Sequence, residues 1–122
     1  MSKPIKNILR KGAAFKVNGS LWIECDGQRF FGPGPVELLE LIAVTGSISQ
    51  AAKKMNMSYK KAWEIITRLN KNAASPLVLT SQGGEHGGGS SLSEEAKEII
   101  VFYRQLRENF LQFLEKQTAK FK

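Results

Sequence analysis

A chain of 122 residues with a single histidine, His86, and a single cysteine, Cys25, has little from which to build a reactive centre. His86 sits among glycines with no cysteine or carboxylate at metal-ligand spacing, so a solvated loop histidine is expected rather than a ligand. A serine, histidine and acid relay would need that same histidine held in place, and its glycine-rich surroundings do not hold it. No catalytic residue, metal or cofactor is expected, and the chain is not expected to be an enzyme. Cys25 has no partner for an internal disulfide and is expected to face a small core.

The chemistry these residues do offer is the binding of anions. Lys and Arg number 18 against 11 Asp and Glu, a net charge of +7 that suits a polyanion. The excess is concentrated in one segment. From Lys53 to Lys71 there are six cations (Lys53, Lys54, Lys60, Lys61, Arg68 and Lys71) and one anion, Glu64. The tail from Glu94 to Lys122 is nearly balanced, with six cations and five anions. An inert basic surface is the bland alternative, and charge alone does not separate the two.

Composition bounds what can position those cations. Hydrophobic content of 42% and charged content of 24% are those of a folded domain rather than a disordered chain. No apolar run approaches the roughly 18 residues needed to span a membrane, and the start has no apolar stretch suited to a leader. A cytoplasmic protein with no membrane partner is expected.

The elements are read as mainly α with small β elements. Residues 1–12 read as a flexible basic lead and residues 13–32 as a β-meander. Its turns are Asn18-Gly19 and Asp26-Gly27, pairs that tolerate the positive φ a tight hairpin requires. Trp22 is expected to pack this meander against the helices. Pro35 can serve as a first helical residue, and residues 36–70 then carry three short helices. Gly46 ends the first, Ser47 or Ser49 caps the second, Asn56 turns the chain, and Ser58 caps the third. Residues 76–92 read as a strand, a glycine-rich loop and a return strand. Ser93 caps a last helix over 93–120, with Glu94 and Glu95 in its first turn. Along it Ala96, Ile99, Tyr103, Leu106, Phe110 and Phe113 alternate by three and four, a two-helix seam of about three heptads. Ile99, Tyr103, Leu106, Phe110 and Phe113 are therefore assigned to dimerisation of the chain with itself.

Two short helices joined tightly, the second capped and basic, define a helix-turn-helix, with small Ala51 and Ala52 at the crossing. The second helix keeps Ala62, Ile66 and Leu69 inward. Ser58, Tyr59, Lys60 and Lys61 occupy its N-terminal end, where such helices meet base edges. Glu64, Thr67, Arg68 and Lys71 continue the outward face, and Ser49 joins from the helix before. Trp63 borders both faces, and packing is expected of it ahead of contact with a DNA backbone. The hairpin that follows reads as a wing in which Gly84, Gly87 and Gly88 let the backbone approach DNA without side-chain clash. The expected architecture is thus a winged helix-turn-helix, with an N-terminal β-meander and a long C-terminal dimerisation helix, that binds double-stranded DNA.

Several strings resemble a known family in order and spacing. They are Trp22-Ile23-Glu24 before Asp26-Gly27, Leu38-Leu39, Thr45-Gly46-Ser47-Ile48-Ser49, Ala51-Ala52, Ser58-Tyr59-Lys60-Lys61-Ala62-Trp63, and Gly83-Gly84 with Gly87-Gly88-Gly89. Together they resemble the N-terminal domain of the molybdate-responsive ModE regulators over residues 20–112. The same helix-turn-helix, and the Leu92-Ser93 start of the last helix, are more distantly similar to the DNA-binding domain of LysR-type regulators. The resemblance implies a dimeric repressor or activator of transcription. Longer family members carry C-terminal oxyanion-binding domains, and this chain ends at Lys122, so molybdate binding is not expected in it. Family wings often carry a lysine or arginine where this one has Glu85 and His86. Two other readings stand beside the regulator: a winged-helix protein-interaction module with little DNA affinity, and an oxyanion (molybdate) responsive protein.

Overall fold

The computed structural model describes residues 2–81 and 89–122, which form two compact units: Trp22–Tyr103, and a second made of Met1–Leu21 with Arg104–Lys122. The expected wing glycines Gly84, Gly87 and Gly88, with Gly83, Glu85 and His86, lie outside the described residues.

The Trp22–Tyr103 unit opens with a hairpin of β1 (Ile23–Cys25) and β2 (Gln28–Phe31), paired antiparallel with Glu24 opposite Arg29. Asp26 and Gly27 take φ of 52° and 80°, the positive pair that a two-residue turn of this hand demands. Helix α1 (Pro33–Thr45) starts two residues earlier than expected. Gly32 is its N-cap and Pro33, not Pro35, is its first residue, where a missing N–H is harmless. It stops at Gly46, whose φ of 69° lets its N–H return to the Ile42 carbonyl at 2.7 Å. Helices α2 (Ile48–Lys54) and α3 (Tyr59–Lys71) follow, then antiparallel β3 (Val78–Thr80) and β4 (Ser90–Leu92), and α4 (Glu94–Thr118). Leu38, Leu39, Ile42, Ala51, Ala62 and Ile66 are among the side chains at the centre of one core.

Ser93 sits where β4 meets α4. Its hydroxyl accepts from the Ala96 N–H at 3.2 Å and donates to the Leu77 carbonyl at 3.3 Å, so the cap also fastens the start of β3.

The expected first strand of the meander is absent, and the reason lies far away in sequence. Val17 donates its N–H to the Thr118 hydroxyl at 3.0 Å, and that hydroxyl reaches back to the Val17 carbonyl at 3.5 Å. Phe15 meets the Phe121 ring at 6.2 Å. The segment is thus held by the end of α4 and the 3-10 turn Ala119–Phe121 rather than by a neighbouring strand. Asn18-Gly19 makes no hairpin turn: Gly19 donates to the Asn18 side chain at 2.9 Å, and neither residue has positive φ. Within the lead, Ile5–Asn7 form another 3-10 turn, which lies against Ala119–Phe121.

Trp22 does not plug the hairpin onto the helices. It is half-buried, donates Nε1–H to Glu24 at 3.0 Å, and carries the Arg29 guanidinium 3.7 Å above its ring. Phe31 is the inward residue instead, 1% exposed and edge-on to Tyr103 at 5.6 Å. Cys25 is half-buried.

That contact corrects the assignment of Tyr103. At 1% exposure its ring belongs to the core of its own chain and has no surface left for a second copy. Ile99 is half-buried against the same core. Leu106 and Phe110 are half-buried and Phe113 is 53% exposed. The large apolar side chains that α4 leaves open are Val101, Phe102, Leu111 and Phe113.

Candidate nucleic-acid interface

Local chemistry fixes the turn between α2 and α3. The Ser47 hydroxyl accepts from the Gln50 N–H at 3.1 Å and starts α2. Ala51 and Ala52 are 0% and 1% exposed, the small surface that allows α3 to cross closely. Asn56 takes φ 55°, and the Met57 N–H returns to the Ala52 carbonyl at 3.0 Å, which closes the turn. Ser58 then accepts from the Lys61 N–H at 3.0 Å and starts α3.

With Ala62, Ile66 and Leu69 buried, helical spacing leaves Lys60, Glu64, Thr67 and Lys71 on the opposite face, with Lys61 and Arg68 along one side. All of these are exposed, as are Ser49, Ser58, Lys53 and Lys54. Among the described residues, none of the six cations in this segment has an ion-pair partner; Lys97 with Glu94, at 3.0 Å, is a pair on α4. Their charge is left to solvent or to a ligand.

The other edge of α3 is aromatic. Tyr59 and Trp63, one turn apart, stack with ring centres 6.3 Å apart and planes at 14°. They are 54% and 45% exposed, so Trp63 does not pack inward as expected. This edge borders a groove of ≈ 320 Å³ whose lining includes Ser49, Tyr59, Trp63, Thr80, Ser81 and Ser90. Thr80 and Ser90 were not foreseen in the sequence, because only the pairing of β3 with β4 brings them opposite each other.

Two sets of hydrogen bonds position the strands. Asn70, on α3, accepts from the Leu77 and Val78 N–H groups at 2.8 and 3.1 Å and donates to the Val78 carbonyl at 3.3 Å. Ser90 donates its N–H to the Gly46 carbonyl at 2.9 Å, tying β4 to the turn before α2. The hairpin base is closed by the Ser81 N–H on the Gly89 carbonyl at 2.9 Å and the Gly89 N–H on the Ser81 hydroxyl at 3.1 Å. Among the described residues no cluster of His, Cys, Asp and Glu is placed to hold a metal, and no helix is long and apolar enough to cross a membrane.

Residues 35–97 match the family described as bacterial regulatory helix-turn-helix protein, lysR family. The chain is 40% identical over 85 residues to the molybdenum transport protein ModE of Azotobacter vinelandii, covering 70% of this chain and 32% of that protein. It is 39% identical over 83 residues to the transcriptional regulator ModE of Haemophilus influenzae, and 37% identical over 83 to the DNA-binding transcriptional dual regulator ModE of Escherichia coli K12. Each of these two matches covers 68% of this chain and 32% of the relative. The chain therefore spans about a third of the length of the curated relatives it matches. Among solved structures, a mutant of Lactococcus lactis ZitR superposes with a TM-score of 0.53 at 19% identity, over 88% of this chain and 73% of that one. At that identity the likeness concerns the fold, a winged helix-turn-helix with a long C-terminal helix.

Proposed function

The chain belongs to the bacterial regulatory helix-turn-helix proteins of the lysR family, and from that premise we propose that it is a ModE-like regulator of transcription that binds double-stranded DNA sequence-specifically, as a homodimer, in the cytoplasm. The observation that carries the proposal is the outward face of α3: exposed Lys60, Lys61, Thr67, Arg68 and Lys71, with no ion-pair partner among the described residues, on a helix capped by Ser58. Residues at the start of such a helix reach base edges in the major groove. Tyr59, Lys60 and Lys61 take that role here, Glu64 accepts from a cytosine amino group, and Ser49, Ser58, Arg68 and Lys71 hold phosphates. Residues 36–70 are the helix-turn-helix, 76–92 the wing and 93–120 the pairing helix. The exposed apolar side chains of α4 support pairing with a second copy, which would set two recognition helices on half-sites one DNA turn apart or a multiple of it.

The test is a fluorescence-anisotropy titration of a duplex selected from a random pool, repeated over a range of salt. Affinity should fall with a log–log slope of about −0.9 per phosphate contact. Lys60→Ala or Lys61→Ala should reduce the ratio of specific to nonspecific binding, whereas Lys71→Ala should weaken all sequences alike. No binding, or binding flat in salt, would remove the proposal.

A further inference from the structure

Divided between the two compact units, the positive charge of the chain falls entirely on one of them. Trp22–Tyr103 holds eight cations and nine anions, so the basic face of α3 is offset by carboxylates elsewhere in that unit. The smaller unit, Met1–Leu21 with Arg104–Lys122, holds ten cations against Glu108 and Glu115, a net charge of +8. Its first segment alone contributes five cations and no anion. All ten cations are exposed. Apart from Arg104, none has an ion-pair partner among the described residues.

The fold of this unit concentrates that charge. The 3-10 turn Ile5–Asn7, which carries Lys6, lies against the 3-10 turn Ala119–Phe121, which carries Lys120. Val17, next to Lys16, is bonded to Thr118, two residues beyond Lys116. Cations distant in sequence are thus gathered in one region by the bonds between Val17 and Thr118 and the contact of Phe15 with Phe121. Like charges so gathered repel one another, which works against the fold until an anion is bound.

We infer that this unit is a second, sequence-independent surface for the phosphate backbone of double-stranded DNA, separate from α3, and that binding there fixes residues 2–21 in place. The choice of DNA as the polyanion rests on the DNA-binding reading above. An anionic lipid surface would answer the charge, but residues 2–21 form no amphipathic helix to lay in it: their regular structure is one three-residue turn. Lysines and arginines that meet phosphates displace condensed counterions and carry no sequence information directly. Two sources can supply that backbone, the flank of the duplex that α3 reads or a second duplex.

The test compares two variants of the full chain on two duplexes, one selected by the wild-type protein and one scrambled, across a salt series. The lead variant carries Lys3→Gln, Lys6→Gln, Lys11→Gln and Lys16→Gln; the helix variant carries Lys60→Gln, Lys61→Gln and Lys71→Gln. The lead variant should lose affinity equally on both duplexes, with a log–log slope shallower by about 2–4, at about 0.9 for each phosphate contact removed. The helix variant should lose most on the selected duplex. Amide exchange gives a local readout. With free scrambled duplex at about ten times its Kd, exchange at the Val17 N–H should slow by up to about tenfold, in wild type and helix variant alike. All substituted sites are exposed, thermal melts identify any variant that does not fold, and the Val17 measurement on wild type needs no substitution. Lengthening the selected duplex by about one turn, roughly 10 base pairs, at each end tightens binding if the flank is the source. Capture of a second, labelled duplex by protein saturated with the first identifies a separate molecule instead. An unchanged slope in the folded lead variant overturns the inference, as does a Val17 amide that duplex leaves unprotected; neither result touches the reading of bases by α3. Protection by phosphatidylglycerol vesicles and not by duplex also overturns it, in favour of a membrane. A loss in the lead variant with none in the helix variant would keep this surface and remove the role of α3. Absence of duplex binding by the wild-type protein removes both.

Discussion

Asn70→Ala removes three hydrogen bonds at once, and their geometry sets the expected cost. The side-chain oxygen holds the Leu77 N–H at 2.8 Å and the Val78 N–H at 3.1 Å, and the side-chain amide reaches the Val78 carbonyl at 3.3 Å. Leu77 and Val78 are each 3% exposed, so backbone groups freed by the substitution have poor access to water. A net contribution of about 1 kcal/mol per bond, with an added penalty for any group left unsatisfied, gives a loss of about 2–4 kcal/mol. Asn70 itself is half-buried, which admits some water and favours the lower part of that range. Against a typical total of roughly 5–15 kcal/mol this is a large fraction. In urea unfolding followed by circular dichroism, a loss of about 3 kcal/mol moves the midpoint down by about 1.5 M if the slope is near 2 kcal/mol per M. The slope itself should be unchanged. Asn70→Asp keeps both acceptor contacts but turns a second oxygen toward the Val78 carbonyl, so its midpoint should fall between those of wild type and Asn70→Ala. An Asn70→Ala protein within about 0.5 kcal/mol of wild type would refute the clamp.

Ser93→Ala takes away the α4 cap and the donor to the Leu77 carbonyl together; a loss of about 1–2 kcal/mol is expected, read as a lower melting temperature. Gly46→Ala has room for its methyl, with the nearest atom, the Ser90 carbonyl oxygen, 4.0 Å away, so its cost of about 1 kcal/mol should come from the positive φ alone. An Asn at the same position should cost less than Ala, because Asn tolerates the left-handed region better. Tyr103→Ala should destabilise by about 3–5 kcal/mol, as a buried aromatic does. By contrast Phe113→Glu, at an exposed site, should leave the melting temperature nearly unchanged and shift sedimentation toward a smaller species. A Phe113→Glu protein that sediments as the wild type does would exclude that side chain from pairing.

What the sequence made legible was local chemistry. The caps at Ser58 and Ser93, the left-handed turn at Asn56 and the stop at Gly46 each depend on one residue and its near neighbours and stand where expected; of the two caps read for α2, Ser47 or Ser49, Ser47 is the one used. The spacing of Ala62, Ile66 and Leu69 likewise oriented α3. Errors arose where a distant partner decides. Asn18-Gly19 and Asp26-Gly27 have the same turn chemistry, but only the second is flanked by segments that pair with each other. Tyr103 sits on a stripe whose period is the same whether its own core or another helix covers it; Phe31, 72 positions earlier, settles the matter. Trp63 lies at the margin of the apolar face, where a shift of one helical position separates a core residue from an exposed one. The groove was not legible because three of its walls come from separate elements.

The bond between Val17 and Thr118 joins positions 101 residues apart. Closing a loop of that length in an otherwise unfolded chain costs on the order of 4 kcal/mol in entropy beyond a constant term, more than two neutral hydrogen bonds return. The closure is therefore expected to follow, rather than precede, the folding of residues 22–103, which shortens the effective loop. During synthesis every residue of the Trp22–Tyr103 unit is made before Thr118 exists. Amide exchange should show the same order in reverse, with the Val17 N–H losing protection at lower free energy than those of α3. The segment before Trp22 is thus among the last parts of this chain to be fixed in place and the first to be released.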